Sequence, residues 1–283
     1  MGVKLRIGTR IARVPIFFFC FVWYNRIGDK MNILITGASS GIGYEMAEKF
    51  LQRGDYVIAV ARREDRLNKL REISDKCKII TLDLSKKENC YKLHEICSEY
   101  KIDILVNNAG FGIVGEFTKT ELQREIEMIE VNVQAVHILT KLFLCDMERE
   151  NRGYILNVAS IGGLMPGGPL FATYYATKAY VCSFTRGVME ELKQKKSNVK
   201  ISLLCPGPVK TEFNKIANVR ASLKEDTAEF IVNYAIKNIN KNKSMTIIPN
   251  FKIKLLSVFS RILPSRIILK LTYKMQYKKM ELF

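Results

Sequence analysis

Residues Ile35-Thr36-Gly37-Ala38-Ser39-Ser40-Gly41-Ile42-Gly43-Tyr44 close an apolar run and open a helical pattern. A tight turn from strand to helix needs glycine where φ is positive. It needs missing side chains again where a pyrophosphate approaches the N–H groups of the helix start. Gly37, Gly41 and Gly43 meet both needs at the spacing Gly-x-x-x-Gly-x-Gly, which differs from the commoner Gly-x-Gly-x-x-Gly of dinucleotide sites. A glycine-rich turn without any ligand satisfies the same backbone demands, so the motif alone leaves both readings open.

Outward from this turn the chain alternates strand-like and helical segments. Strands are predicted at 32–36, 56–61, 78–82, 104–107, 153–158, 199–204 and 245–248. Helices are predicted near 42–53, 64–74, 86–99, 119–149, 172–196 and 226–241. Several strands are apolar throughout rather than alternating, as strands covered on both faces are. The pattern predicts one α/β domain over 31–249, a doubly wound seven-stranded parallel sheet with helices on both faces.

The second strand ends in Val60-Ala61-Arg62-Arg63, with no acid between Tyr56 and Arg63. An acid here suits a ribose 2′-hydroxyl, and an arginine suits a 2′-phosphate. Arg62 and Arg63 therefore favour NADP(H) over NAD(H), unless they merely pair with Glu64 or Asp65 or stand in solvent. Further on, Tyr174 and Lys178 stand four apart on a helical pattern and share a face, whereas Tyr175 has only Ala179 at the matching place. An ammonium close to a tyrosine favours the phenolate, bringing it toward the pKa of a proton-transfer catalyst. Ser160 ends the preceding strand, where it can hydrogen-bond a substrate oxygen. Alone, such a Tyr/Lys pair is a weak signal, and most such pairs are surface pairs.

From Met31 to about Pro249 the chain resembles the short-chain dehydrogenase/reductase family, in its short-subunit form. The matching pieces are TGASSGIG at 36–43, Asp83, NNAG at 107–110, Asn132, Ser160, YYATK at 174–178 and PGPVKTEF at 206–213. The resemblance implies a Rossmann fold and a catalytic set of Asn132, Ser160, Tyr174 and Lys178. Tyr174 would be the acid/base, Ser160 would orient the carbonyl, and Asn132 would hold a water of the proton relay. Lys178 would lower the Tyr174 pKa and hold the nicotinamide ribose. It further implies cofactor contacts from Gly37, Ser39, Ser40, Gly41, Ile42 and Gly43. Asp83 would meet the adenine, and Asn107, Ala109 and Gly110 would line the cofactor with Tyr174 and Lys178. Pro206, Gly207 and Thr211 would fix the carboxamide. The implied activity is NADP(H)-dependent interconversion of a carbonyl and an alcohol by hydride transfer, in a homodimer or homotetramer built through helices 119–149 and 172–196. One departure is the 14-residue step from Ser160 to Tyr174, one longer than the family's commonest, which implies a reshaped pocket near 162–170. Leu164, Met165, Leu170, Phe171, Phe213 and Ile216 make the substrate stretches apolar, as either an acyl-accepting pocket or plain core would.

Charge separates the rest. The 283 residues carry 45 Lys+Arg and 28 Asp+Glu, a net of +17. Residues 1–30 supply +5 and residues 241–283 supply +9, so the intervening body is nearly neutral and nucleic acid is not an expected partner. Seven cysteines at irregular spacing and two distant histidines argue against a zinc site and fit free thiols in a cytoplasmic enzyme. The uncharged run 14–24 is shorter than the ~20 residues of a spanning helix. It reads as part of a non-native extension or as a surface anchor.

In 250–283, Pro264 divides two helical patterns. Arg266, Lys270, Lys274 and Lys278 recur every four residues, spanning an arc of ~120°. Such a tail suits an anionic membrane surface, or a helix packed on its own subunit or a partner with its lysines in water. Two alternatives to the enzyme reading remain on the same fold: an NADP(H)-binding regulator, and a membrane-peripheral protein whose tails carry the main role. A sugar-nucleotide epimerase is disfavoured, because no extra substrate domain follows.

Overall fold

The structure is a computed structural model describing residues 3–7, 10–14, 30–213 and 225–280. It divides into two units, residues 1–30 and 31–283. In the first, β1 (Val3–Ile7) and β2 (Arg10–Val14) pair antiparallel, Val3 opposite Val14. Most of the apolar run 14–24 lies outside the described residues.

The second unit is built on a parallel sheet. Its strands are β3 (Asn32–Thr36), β4 (Tyr56–Ala61), β5 (Cys77–Thr81), β6 (Ile104–Asn107), β7 (Tyr154–Val158), β8 (Lys200–Leu204) and β11 (Thr246–Ile247). Their order is β11-β8-β7-β6-β3-β4-β5, all parallel. The seven-stranded doubly wound sheet and its single domain are as the alternation predicts. A second pairing was not foreseen: β9 (Val209–Lys210) runs parallel to β10 (Asp226–Thr227).

Helices cover both faces. They are α1 (Gly41–Arg53), α2 (Glu64–Ile73), α3 (Lys87–Cys97), α4 (Leu122–Arg149), α5 (Ala172–Gln194) and α6 (Ala228–Ile239). After Asn250, α7 (Phe251–Ile262) and α8 (Ser265–Met280) follow, divided at Pro264. Strand residues alternate between two cores because successive side chains point to opposite faces. Ile33, Ile35, Val57 and Ala59 meet Met46, Phe50 and Ile231 on one side. Leu34, Ile58 and Leu105 meet Leu93, Leu139 and Phe143 on the other. At ~25 cal/mol per Å² of apolar surface, each such large side chain contributes on the order of 1.5–3 kcal/mol.

The strand order reverses at β3, which runs on to β4 and β5 on one side and has β6 on the other, and in open α/β sheets ligands bind at the strand carboxyl ends beside that switch. Thr36 pins the crevice there. Its Oγ1 accepts the N–H groups of Asn108 (3.0 Å) and Ala109 (3.1 Å) and donates to the Val106 carbonyl (3.3 Å).

Candidate active site

A cavity of about 390 Å³ opens at this switch point. Its cofactor-side wall is the glycine turn. Gly37 and Gly41 hold φ of +67° and +57°, in the left-handed region. A Cβ on Gly37 would lie 2.8 Å from the Ala109 Cα, and one on Gly43 would lie 2.4 Å from the Gly37 carbonyl oxygen. The loop therefore packs as closely as bare backbone allows. Ser40 precedes α1 in an extended conformation with no side-chain cap, and the first turn carries no acid. The N–H groups and positive dipole end of α1 thus face the cavity unopposed, as phosphate binding requires. These features fit a dinucleotide pyrophosphate.

The two arginines differ. Arg62 is exposed at the cavity rim. Arg63 reaches back to Ser39, with Nε and Nη2 each 3.3 Å from its Oγ, and pairs through Nη1 with Glu212 (2.8 Å). Arg66 holds the other Glu212 oxygen at 3.3 Å. Neither predicted partner, Glu64 or Asp65, takes Arg63; a carboxylate 149 residues away does. Asp83 also lines the cavity, its Oδ1 accepting from the Ser85 N–H (3.1 Å) and hydroxyl (2.9 Å).

Ser160, Tyr174 and Lys178 share the opposite wall. Ser160 caps a short 3₁₀ turn at Ile161–Leu164, its Oγ accepting from the Gly162 N–H at 3.1 Å. Tyr174 and Lys178 are one turn apart on α5, both buried, with the Lys178 Nζ 5.9 Å from the phenol ring centre. Burial pushes the Tyr174 pKa up, and the hydrogen-bonded Ser160 hydroxyl opposes that. Burial pulls Lys178 down to about 8. Lys178 donates to the Val158 carbonyl at 3.0 Å, so burial rather than the ammonium sets the direction at Tyr174 here, opposite to the sequence expectation.

Asn132 sits behind this wall, fully buried in a π-turn (Glu130–Ala135) inside α4. Its Oδ1 accepts the Phe111 N–H (3.1 Å), and its Nδ2 donates to the Phe111 carbonyl (2.9 Å) and the Thr177 hydroxyl (3.1 Å). A Cβ on Gly110 would fall 2.8 Å from the Asn132 oxygen and 3.3 Å from the Lys178 nitrogen, so the three meet at one point. The π-turn is the local cost of aiming a mid-helix asparagine at a backbone loop.

Ser39, Ser40, Ile42, Ala109, Pro206, Gly207 and Thr211 all line the cavity. Asn107 does not. The expectation that it lines the cofactor is corrected: its Nδ2 turns into the core and donates to Thr140 (3.0 Å) and Asn157 (2.9 Å). Alternation along β6 sends Asn107 away from the face that Asn108 presents. Asn108 instead lines the cavity and donates to the Thr36 and Gly37 carbonyls (3.0 and 3.2 Å). Phe171 stacks on Tyr174 with ring centres 4.4 Å apart, and Phe213 lies 5.4 Å from the same ring. Ile216 falls outside the described residues. Gln276 of α8 was not foreseen. It lines the cavity, is 2 % exposed, and donates to the Tyr175 hydroxyl at 3.2 Å. No local signal marks it, because Tyr175 and Gln276 are 101 residues apart.

Fold and site together define a nucleotide-dependent oxidoreductase class. Residues 31–221 match the family model for short chain dehydrogenases. An uncharacterised oxidoreductase of Bacillus subtilis is 35% identical over 208 residues, covering 71% of this chain and 78% of that protein. A very-long-chain 3-oxoacyl-CoA reductase of Mus musculus is 32% identical over 217 residues, covering 73% and 67%. A solved short-chain dehydrogenase from Sphingobium yanoikuyae in complex with NADPH superposes with a TM-score of 0.73 at 26% identity, covering 82% of this chain and 93% of that one. The chain belongs to the short-chain dehydrogenase/reductase family and is an oxidoreductase with a nicotinamide-cofactor fold.

Proposed function

We propose that the protein interconverts a carbonyl compound and its alcohol with NADP(H) as cofactor. The observation carrying this reading is the cavity itself, which joins the glycine turn and the Arg62/Arg63 edge to Ser160, Tyr174 and Lys178 on one continuous surface. The chemistry a bound NADPH supplies is a hydride. Tyr174 donates its phenolic proton to the carbonyl oxygen, and Ser160 orients that oxygen. Lys178 holds the ribose hydroxyls, and Asn132 fixes the Phe111 backbone around the relay. Arg62 and Arg63 would hold a 2′-phosphate through charge-assisted hydrogen bonds, with Glu212 competing for Arg63.

An apolar or acyl-bearing substrate suits the walls formed by Phe111, Val131, Phe171 and Phe213. The mouse relative, a very-long-chain 3-oxoacyl-CoA reductase, supports the same class. Exposed Leu122, Ile126 and Tyr180 on α4 and α5 support a homodimer or homotetramer through those helices. The free thiols, Cys145 exposed among them, support a cytoplasmic location. NADPH depletion over ketones and aldehydes of increasing chain length tests the proposal: turnover should rise with apolar length. Turnover confined to small, charged carbonyl compounds would overturn the substrate class.

A further inference from the structure

The two C-terminal helices are inside-out. On α7 the buried positions are Ile253, Ser257 and Ser260, while Leu255, Val258, Phe259 and Ile262 are exposed. On α8 the buried positions are Ile268, Thr272 and Gln276, while Ile267, Leu271, Tyr273 and Tyr277 are exposed. A surface helix of a water-soluble domain turns its apolar stripe inward. These two turn hydroxyls and an amide inward and present the apolar stripe outward. Their inner faces are fixed by real contacts. Gln276 bonds Tyr175, and Ile253 fills the space beside Gly207, where a Cβ would come within 2.9 Å. The exposed face is therefore the outside of a docked element, and its largest members are far from buried: Phe251 is 76 % exposed, Ile262 72 % and Leu271 58 %.

The charge on this face has one sign. From Phe251 to Met280 the chain has eight basic residues and no acid. Lys252, Lys254, Arg266, Lys270 and Lys274 are exposed beside the apolar residues. A second copy docking through the same two helices would bring like charges together with no carboxylate from either helix between them. An anionic bilayer meets both demands, with headgroup charge for the lysines and hydrocarbon for the side chains between them.

We propose that α7 and α8 form a docking surface for an anionic lipid bilayer. The surface lies on the reverse of α8, whose Gln276 lines the cavity, and of α7, whose Ile253 packs beside the cavity residue Gly207, so a docked molecule holds that end of the cavity toward the membrane. The inference rests on the helix faces and stands whether or not the carbonyl reading holds.

The test is flotation of the full chain with vesicles of phosphatidylcholine alone, or with phosphatidylserine added, alongside light-scattering mass measurement. Two variants accompany it, Lys270→Glu/Lys274→Glu and Phe259→Ser/Ile262→Ser. The wild-type chain should float with the anionic vesicles and not with the neutral ones. Each basic residue near such a surface is worth about fivefold in partitioning, so the double charge reversal should lower it by roughly two orders of magnitude or more. The serine variant should lower it as well, with the mass in solution unchanged. Failure of the wild type to float on anionic vesicles overturns the proposal. So does flotation of both variants undiminished from the wild type, which places the contact elsewhere in the chain. A fall in mass for the serine variant overturns it in favour of a contact between copies. The lysine variant alters only exposed positions, so it remains informative if the serine variant misfolds.

Discussion

The two ends of the cavity are held by different physics. At the cofactor end the wall is backbone: Gly37 and Gly41 line it, Gly43 packs behind them against the Gly37 carbonyl, and the α1 N-terminus supplies the polarity. At the substrate end the wall is side chains drawn from distant segments: Phe171 after the 3₁₀ turn, Phe213 after β9, and Gln276 from α8. A backbone wall recognises a constant ligand, because its donors cannot be exchanged by substitution. A side-chain wall can change its ligand while the sheet stays as it is. The contrast explains why the cofactor class follows from family membership, whereas substrate and 2′-phosphate selectivity rest on individual side chains.

Four measurements can break or sharpen this contrast. The largest effect belongs to Tyr174→Phe. Removing the proton donor should lower turnover by about 10²–10⁴-fold, while NADPH fluorescence titration shows binding retained. Full activity would contradict Tyr174 as the acid. Next is Arg63→Ala, which removes charge-assisted hydrogen bonds worth roughly 1.5–3 kcal/mol. The KM for NADPH should rise about 10- to 100-fold with that for NADH unchanged. An equal change for both cofactors would remove the 2′-phosphate role.

The third measurement concerns pH. Lys178 is a base whose pKa burial lowers to about 8, so its ammonium is lost as pH rises through about 8. Carbonyl reduction should decline over that range, and Lys178→Arg, which stays charged, should move the decline upward. The stability effect has the opposite sign. Between about 8 and its ordinary value of 10.5, the unfolded chain holds a Lys178 proton that the folded chain has released. The Lys178 contribution to stability therefore increases with pH, which melting temperatures of wild type and Lys178→Met should show by their difference. The smallest effect is at Glu212→Gln. This half-exposed carboxylate competes for Arg63 and Arg66, and such pairs are worth about 0.2–1 kcal/mol. The KM for NADPH should fall by no more than about fivefold.

Much of the fold was readable because parallel strands covered on both faces are short, continuous apolar runs. Asn32–Thr36, Tyr56–Ala61 and Ile104–Asn107 form at the predicted residues, and the other strand ends move by a residue or so. The site was readable where its chemistry is local: the glycine turn, and the Tyr174/Lys178 pair one helical turn apart. It was less readable where a side chain's direction depends on its neighbours. Asn107 and Asn108 look alike in sequence, yet the pleat sends one into the Thr140/Asn157 network and the other to the cavity. The π-turn at Asn132 gives no sequence signal beyond a residue of poor helix propensity.

The sequence by itself determined the order of elements, the cradle and the basic C-terminal stretch, which has no acid from Phe251 to Met280, because these follow from spacing and composition along the chain. Only the tertiary structure decided that Arg63 bonds Glu212, that Gln276 lines the cavity, and that α7 buries Ser257 and Ser260 and α8 buries Thr272 and Gln276 while Phe259, Ile262 and Leu271 stay exposed. Helical periodicity divides residues into faces. Which face meets the protein depends on packing partners from elsewhere in the chain, and at α7 and α8 those partners are the polar and backbone surfaces around the cavity mouth.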